Sequence, residues 1–204
     1  MLSPIKSGVL FILLFTLACT GKDLSIYEQE VSIAKVSTRL GDMYFWMYNQ
    51  TQNHKTNFIE LANAQHYNQF TFNRVVKNFV IQGGCPDSVQ YFENSPYLLE
   101  PEFVDRFGHK YGALGMGRDN NPDKLSNACQ FYIVCKEAGL PNLDNQYMIF
   151  GEIIEGIDVL EAIEKESTDN KDKPLVAIPL DVSIVEFTTS QFQSRFGIEP
   201  TLFD

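Results

Sequence analysis

One arginine stands alone in an apolar run. In "FTFNRVVKNFVIQGGCPDS", residues 70–88, Arg74 is set among Phe72, Val75, Val76, Phe79 and Val80, with Gln82, Gly83 and Gly84 following. A guanidinium carries five donors and no acceptor, and placing it in apolar surroundings is costly unless a partner occupies those donors. It keeps its charge at any working pH, so it suits a site where an electron pair must be met by a permanent donor. Other chemistry is sparse. No GxSxG, HExxH or glycine-rich phosphate loop occurs. The acidic pairs Glu100/Glu102 and Glu161/Glu164 read as solvated faces rather than a glycosidase dyad. Three scattered histidines and the lack of CxxC give no metal-ligand spacing.

The four cysteines divide by position. Cys129 and Cys135 lie six residues apart in the strand-like "CQFYIVC", roughly 20 Å at ~3.3 Å per residue, too far to bridge each other. Cys85 can reach one of them only if the fold brings them together. Cys19 belongs to the leader "MLSPIKSGVLFILLFTLACTGKD", where Lys6 precedes an apolar run from Val9 to Ala18. That run suits a signal-peptide core and is short for a spanning helix. Cys19 after "TLA" resembles a bacterial lipoprotein cleavage site. The expectation is a signal peptide over residues 1–18, lipidation at Cys19 and a domain facing the periplasm of a bacterial cell envelope. Without residues 1–18 the chain keeps 186 residues, with 15 basic against 26 acidic side chains, a balance of −11. Such a balance disfavours nucleic acid and anionic membrane surfaces as partners, leaving the N-terminal lipid or anchor as the membrane contact.

The elements that must position Arg74 are short. Residues 19–29 read as a tether, 30–188 as one domain and 189–204 as a tail. Gly41-Asp42 suits a two-residue hairpin loop. "HKTNFIELANAQ", residues 54–65, places Phe58, Leu61 and Ala62 on one helical face. Strand-like runs follow near 70–75, 78–82, 112–117, 130–135 and 147–154, and "PLDVSIVEF" reads as a closing strand. "GIDVLEAIEKES" signals a second helix, with Asp158 and Glu161 at capping-box spacing. Many short strands and two helices fit a closed antiparallel barrel capped by helices, and fit a β-sandwich equally well by periodicity.

Three blocks in order, "FNRVVKNFVIQGG", "QFYIV" and "NLDNQYMIFGEIIEG", resemble the cyclophilin family of peptidyl-prolyl isomerases over residues 32–187. The loop "GRDNNPDK" is similar in style to bacterial members. The resemblance implies a mainly β fold, a closed eight-stranded antiparallel barrel capped by two α-helices, with an active groove on its outer face. It implies a catalytic role for Arg74 and a proline pocket lined by Phe79, Val80, Tyr132 and Leu143. Gln82 and Gln130 are implied as polar contacts, Gly117 and Arg118 as the loop whose backbone binds the substrate chain, and Tyr147 at a position usually histidine or tyrosine. Asn142 stands where many members carry an aromatic residue, Cys85 replaces the usual aspartate and Cys129 a small residue. The implied activity is rotation of Xaa-Pro bonds in unfolded or partly folded exported proteins by a monomer, a reaction that calls for no metal or cofactor. Two rivals stand beside it: a binding module or chaperone for proline-containing segments with little turnover, and a thiol redox protein using Cys85 with Cys129.

Overall fold

The computed structural model describes residues 29–86 and 98–203. The expected leader, Cys19 and the tether up to residue 28 lie outside the described residues. No described helix is long and apolar enough to cross a membrane.

The chain opens with strands β1 (Glu30–Thr38) and β2 (Gly41–Met47). Their turn is Arg39-Leu40, not the expected Gly41-Asp42, because Thr38 pairs with Gly41. The Thr38 hydroxyl sets this register: it accepts from the Leu40 N–H at 3.0 Å and donates to the Gly41 carbonyl at 3.1 Å. Helix α1 (Gln52–Asn63) buries His54, Phe58 and Ala62, one residue per turn. It starts two residues before the expected 54, and no local side chain caps it. The Glu102 carboxylate instead accepts the Asn53 and His54 N–H groups at 3.0 and 3.1 Å. A helix's first turn leaves four such donors orphaned, and an anion there also meets the positive end of the helix dipole.

Strands β3 (Thr71–Val76) and β4 (Val80–Gly84) follow, then β5 (Leu98–Leu99), β6 (Ala113–Met116), β7 (Ser126–Asn127), β8 (Gln130–Val134) and β9 (Met148–Glu155). Helix α2 (Ile157–Glu164) precedes β10 (Asp181–Thr188). The capping box expected at Asp158 does not form: the N-cap is Gly156, and Asp158 lies in the first turn. Eight strands make one antiparallel sheet in the order β10-β1-β2-β9-β6-β8-β4-β3, and β5 pairs with β7. The eight antiparallel strands match expectation, but the described ladder does not close strand to strand. Residues 178–180 stitch the β3 edge instead, through Phe72 N–H to the Ile178 carbonyl and Leu180 N–H to the Phe70 carbonyl, both 3.0 Å. Pro179 sits opposite Thr71 in that stitch and has no N–H to extend it.

Inside the curled sheet, Phe58 packs on Tyr67 at 5.0 Å and edge-on to Phe131 at 5.6 Å, and Phe72 meets Phe131 at 5.9 Å. The expected tail is folded as well. Helix α3 (Thr189–Phe196) begins with a full capping box: Thr188 accepts from the Gln191 N–H, and the Gln191 side chain accepts from the Thr188 N–H. Phe192 is fully buried edge-on to Trp46 at 5.5 Å, and Phe203 stacks on the same indole at 4.6 Å. Among the described residues there are thus three α-helices rather than the expected two. Phe192→Ala is expected to cost about 3–5 kcal/mol, the usual range for emptying a buried phenylalanine site. Denaturant unfolding of the variant checks this.

Candidate active site

The β4–β8 pairing builds the site. Val80 faces Val134, Ile81 faces Ile133, Gln82 faces Tyr132, Gly83 faces Phe131 and Gly84 faces Gln130. Side chains alternate across a sheet, so Ile81, Phe131 and Ile133 enter the core while Val80, Gln82, Gln130 and Tyr132 face out. On the next strand the register shifts between Phe72 and Arg74, and Arg74 comes to lie opposite Gln82. An extra residue at such a bulge re-aims the side chain that follows. The outcome is one cleft of about 220 Å³ lined by Arg74, Phe79, Val80, Gln82, Gly117, Arg118, Gln130, Tyr132, Leu143 and Tyr147. That is below the roughly 300–1,000 Å³ of pockets for drug-sized ligands and of a scale for one small ring with its neighbouring amide. Of the positions named from sequence, Asn142 alone among the described residues stays out of the lining: it is exposed in the single turn Pro141–Leu143.

The two arginines of the cleft differ in what holds them. Arg118 is spent on the fold: Nε donates to the Gln146 carbonyl at 2.7 Å and Nη1 to the carbonyls of Asp119 and Asn121 at 3.0 and 2.9 Å. Its guanidinium also lies 4.7 Å from the Tyr147 ring centre. Arg74 lies 6.0 Å from the Phe79 ring centre, and its Nε is 3.6 Å from Asp172 Oδ2, a loose and partly exposed ion pair. Among the described residues its guanidinium donates no hydrogen bond of ordinary length, so its donors face the cleft uncommitted. Gly117 commits both backbone groups, its N–H to the Gln130 carbonyl and its carbonyl to the Asn127 N–H, each at 2.7 Å.

Tyr132 is fixed from behind. Its ring packs against Gly115, where any Cβ would collide with it. Its hydroxyl lies 2.8 Å from His109 Nε2, and His109 Nδ1 is 2.6 Å from Asp144 Oδ1. An ionised carboxylate only accepts, so Nδ1 carries the proton and Nε2 accepts from the tyrosine hydroxyl. Burial lowers the His109 pKa, with Asp144 offsetting this in part. Burial raises that of Tyr132. His109 and Asp144 escape a sequence reading because they lie 35 residues apart, and His109 lies 23 from Tyr132. No local spacing marks them.

A second buried imidazole has the order of a hydrolytic triad. His54 Nδ1 is 2.6 Å from Glu102 Oε2, and Nε2 is 3.1 Å from the Ser126 hydroxyl. Ser126 is only 1% exposed and lies outside the cleft lining. The trio therefore ties α1, the segment before β6 and β7 together rather than attacking a substrate.

Cys85 and Cys129 are joined in a disulfide with Cα atoms 5.5 Å apart. As expected, Cys129 does not bridge to Cys135, which is a buried free thiol pushed up to about 12 by burial. The bridge clamps the groove's rim, where the Cys85 carbonyl accepts from Gln130 Nε2 at 3.1 Å. Gly84 takes φ +90° there, and a Cβ on it would strike the Cys129 carbonyl.

Burial holds both His54 and His109 below their ordinary 6.5. The unfolded chain takes up those protons first, so stability falls as pH drops below about 6.5. Burial pushes Glu102 up, but the Asn53 N–H and His54 contacts outweigh it and leave the carboxyl below its ordinary 4.5, which extends the loss at lower pH. Unfolding free energies at pH 7 and 5 are expected to show this fall, with a shallower one in His109→Asn.

A family model, "Cyclophilin type peptidyl-prolyl cis-trans isomerase/CLD", matches residues 33–184. The "peptidyl-prolyl cis-trans isomerase-like 2" of Rhizopus delemar is 32% identical over 165 residues, 78% of this chain and 30% of that protein. The chain thus spans under a third of that relative's length. A "putative peptidyl-prolyl cis-trans isomerase" of Staphylococcus saprophyticus is 33% identical over 159 residues, 64% of this chain and 79% of that protein. Among solved structures, a Cryptosporidium parvum cyclophilin-type isomerase, crystallised in the presence of the dipeptide Ala-Pro, superposes with a TM-score of 0.67 at 26% identity, covering 76% of this chain and 99% of that one. With the groove geometry and these likenesses together, the chain belongs to the cyclophilin-type peptidyl-prolyl cis-trans isomerase family.

Proposed function

We propose that this chain accelerates rotation about Xaa-Pro bonds, with Arg74 as the catalytic residue. The observation that carries the reading is the Arg74 guanidinium, uncommitted in its donors, at the edge of an apolar pocket formed by Phe79, Val80, Tyr132 and Leu143.

The amide before proline resists rotation by about 18–20 kcal/mol, while its two planar forms differ by only about 0.5–1 kcal/mol. Twisting ends conjugation and gives the prolyl nitrogen a lone pair. Arg74 donates to that lone pair, which neither planar form presents, so the bond stabilises the transition state selectively. Phe79, Val80, Tyr132 and Leu143 hold the prolyl ring still while the preceding carbonyl swings. The His109 hydrogen bond keeps the Tyr132 wall in place. Gln82 and Gln130 flank the pocket where the peptide backbone would pass. Gly117 having spent both of its backbone groups, contact of the loop with the substrate chain falls to Arg118, whose backbone makes no described hydrogen bond.

The substrates are read as proline-containing segments of exported proteins, and the location as the bacterial cell envelope through a lipid on Cys19. The leader supports this, as does the Cys85–Cys129 disulfide, since such bonds persist in oxidising compartments.

A charge-assisted hydrogen bond contributes about 1.5–3 kcal/mol, so Arg74→Ala is expected to lower kcat/KM by roughly ten- to a hundredfold in a protease-coupled assay on an Xaa-Pro peptide. Arg74→Lys recovers little, because an ammonium lacks the planar fork. No acceleration by the wild-type chain would leave a proline-segment binding module in its place. Equal rates in wild type and Arg74→Ala would remove Arg74 from the mechanism.

A further inference from the structure

We propose that the chain, when Cys85 and Cys129 are reduced, binds one zinc-like metal ion in a Cys2His site completed by His66. The proposal concerns the rim of the groove and does not depend on the isomerase reading.

His66, Cys85 and Cys129 reach one point from the turn after α1, the end of β4 and the β7–β8 connection. Their ligand atoms all lie within 4.8 Å of one another. The His66 ring is oriented by edge contacts with Phe70 at 5.3 Å and Tyr67 at 6.2 Å. Its Nε2 lies 3.7 Å from Cys85 Sγ, the one polar partner of the imidazole among the described residues. A tetrahedral zinc ion, with Zn–S of about 2.3 Å and Zn–N of about 2.0–2.1 Å, sets its ligands roughly 3.6 Å apart for S and N and 3.8 Å for two sulfurs. His66 is already at the first separation from Cys85. After reduction the sulfurs need only move from about 2.05 Å to that second separation, and Cα atoms 5.5 Å apart allow it.

The donor set also favours a soft ion. Two thiolates and one imidazole suit zinc or copper(I) over calcium or magnesium. Cys85 and Cys129 are 1% and 5% exposed, where bare thiolates are costly, whereas two thiolates with one divalent cation are neutral overall. His66 is only half-buried, which leaves a wet side for entry and for a water as fourth ligand. Every copy of the chain passes through the dithiol state before its disulfide forms. From the bridged form, a dithiol reductant breaks the S–S bond, becomes a cyclic disulfide and leaves two thiols. Binding the metal then releases their two protons. Metal or disulfide, the rim beside Gln130 is held by the same two residues.

The test is a Co²⁺ titration of the full chain carrying Cys19→Ser, with and without a dithiol reductant, followed by absorbance and Trp46 fluorescence. One equivalent with thiolate-to-cobalt charge-transfer and tetrahedral ligand-field bands is expected after reduction only, displaced by Zn²⁺. His66→Ala should weaken binding at least tenfold, and Cys135→Ser should leave it unchanged. If the reduced chain is unfolded, Zn²⁺ should restore the folded Trp46 signal. Absent bands, equal affinity in His66→Ala, loss in Cys135→Ser, or a reduced chain left unfolded by metal would each overturn the site.

Discussion

The two-residue alternation of the β4–β8 pair is the constraint on which the rest depends. One face of that pair sends Ile81, Phe131 and Ile133 into a core of aromatic rings; the other presents Val80, Gln82, Tyr132 and Gln130 to the cleft. A slip of one residue would exchange the two sets and destroy core and groove together. The register is accordingly pinned from several sides. Phe131 is held edge-on by Phe58, Tyr67 and Phe72. Gly84 permits a backbone approach that no other residue could make. The Cys85–Cys129 bridge ties the two strands just beyond their last pair.

Around this frame the polar groups separate into committed and uncommitted ones. Arg118 is bound to three carbonyls, His54 to Glu102 and Ser126, and His109 to Asp144 and Tyr132. These contacts fasten loops that have little regular structure of their own, since buried polar groups are tolerated only when partnered. Arg74 is the contrast. Its loose contact with Asp172 and its position beside Phe79 keep it in place without consuming its donors. Of the two arginines that line the cleft, one is fastened to the fold and the other keeps its donors open.

Much of the site was legible because it is carried by short contiguous blocks. Arg74, Phe79, Val80 and Gln82 lie within nine residues, and Gln130 and Tyr132 within three. Strand periodicity sets Val80 with Gln82 and Gln130 with Tyr132, whereas Arg74 needs the bulge before it and Phe79 the turn between β3 and β4. The misreadings share a different cause. The start of α1 depends on Glu102, 48 residues beyond His54. The hairpin turn moved to Arg39-Leu40 because a threonine hydroxyl, rather than a glycine, sets its register. The Asp158–Glu161 spacing forms no capping box because Gly156 occupies the N-cap of α2, while Thr188 and Gln191, at the same spacing, form the box that opens α3.

By itself the sequence placed the eight strands of the main sheet through local patterning, and its ordered blocks, by their resemblance, pointed to the family and to the residues that line the groove. It left open whether Arg74 or Arg118 retains its donors, which cysteine joins Cys85, and what stands behind Tyr132. Those were decided by the tertiary structure, since each turns on groups brought into bonding contact from positions 23 to 44 residues apart. The arginine in the apolar run is chemically distinct in one dimension; only three dimensions leave its donors uncommitted at the edge of the cleft.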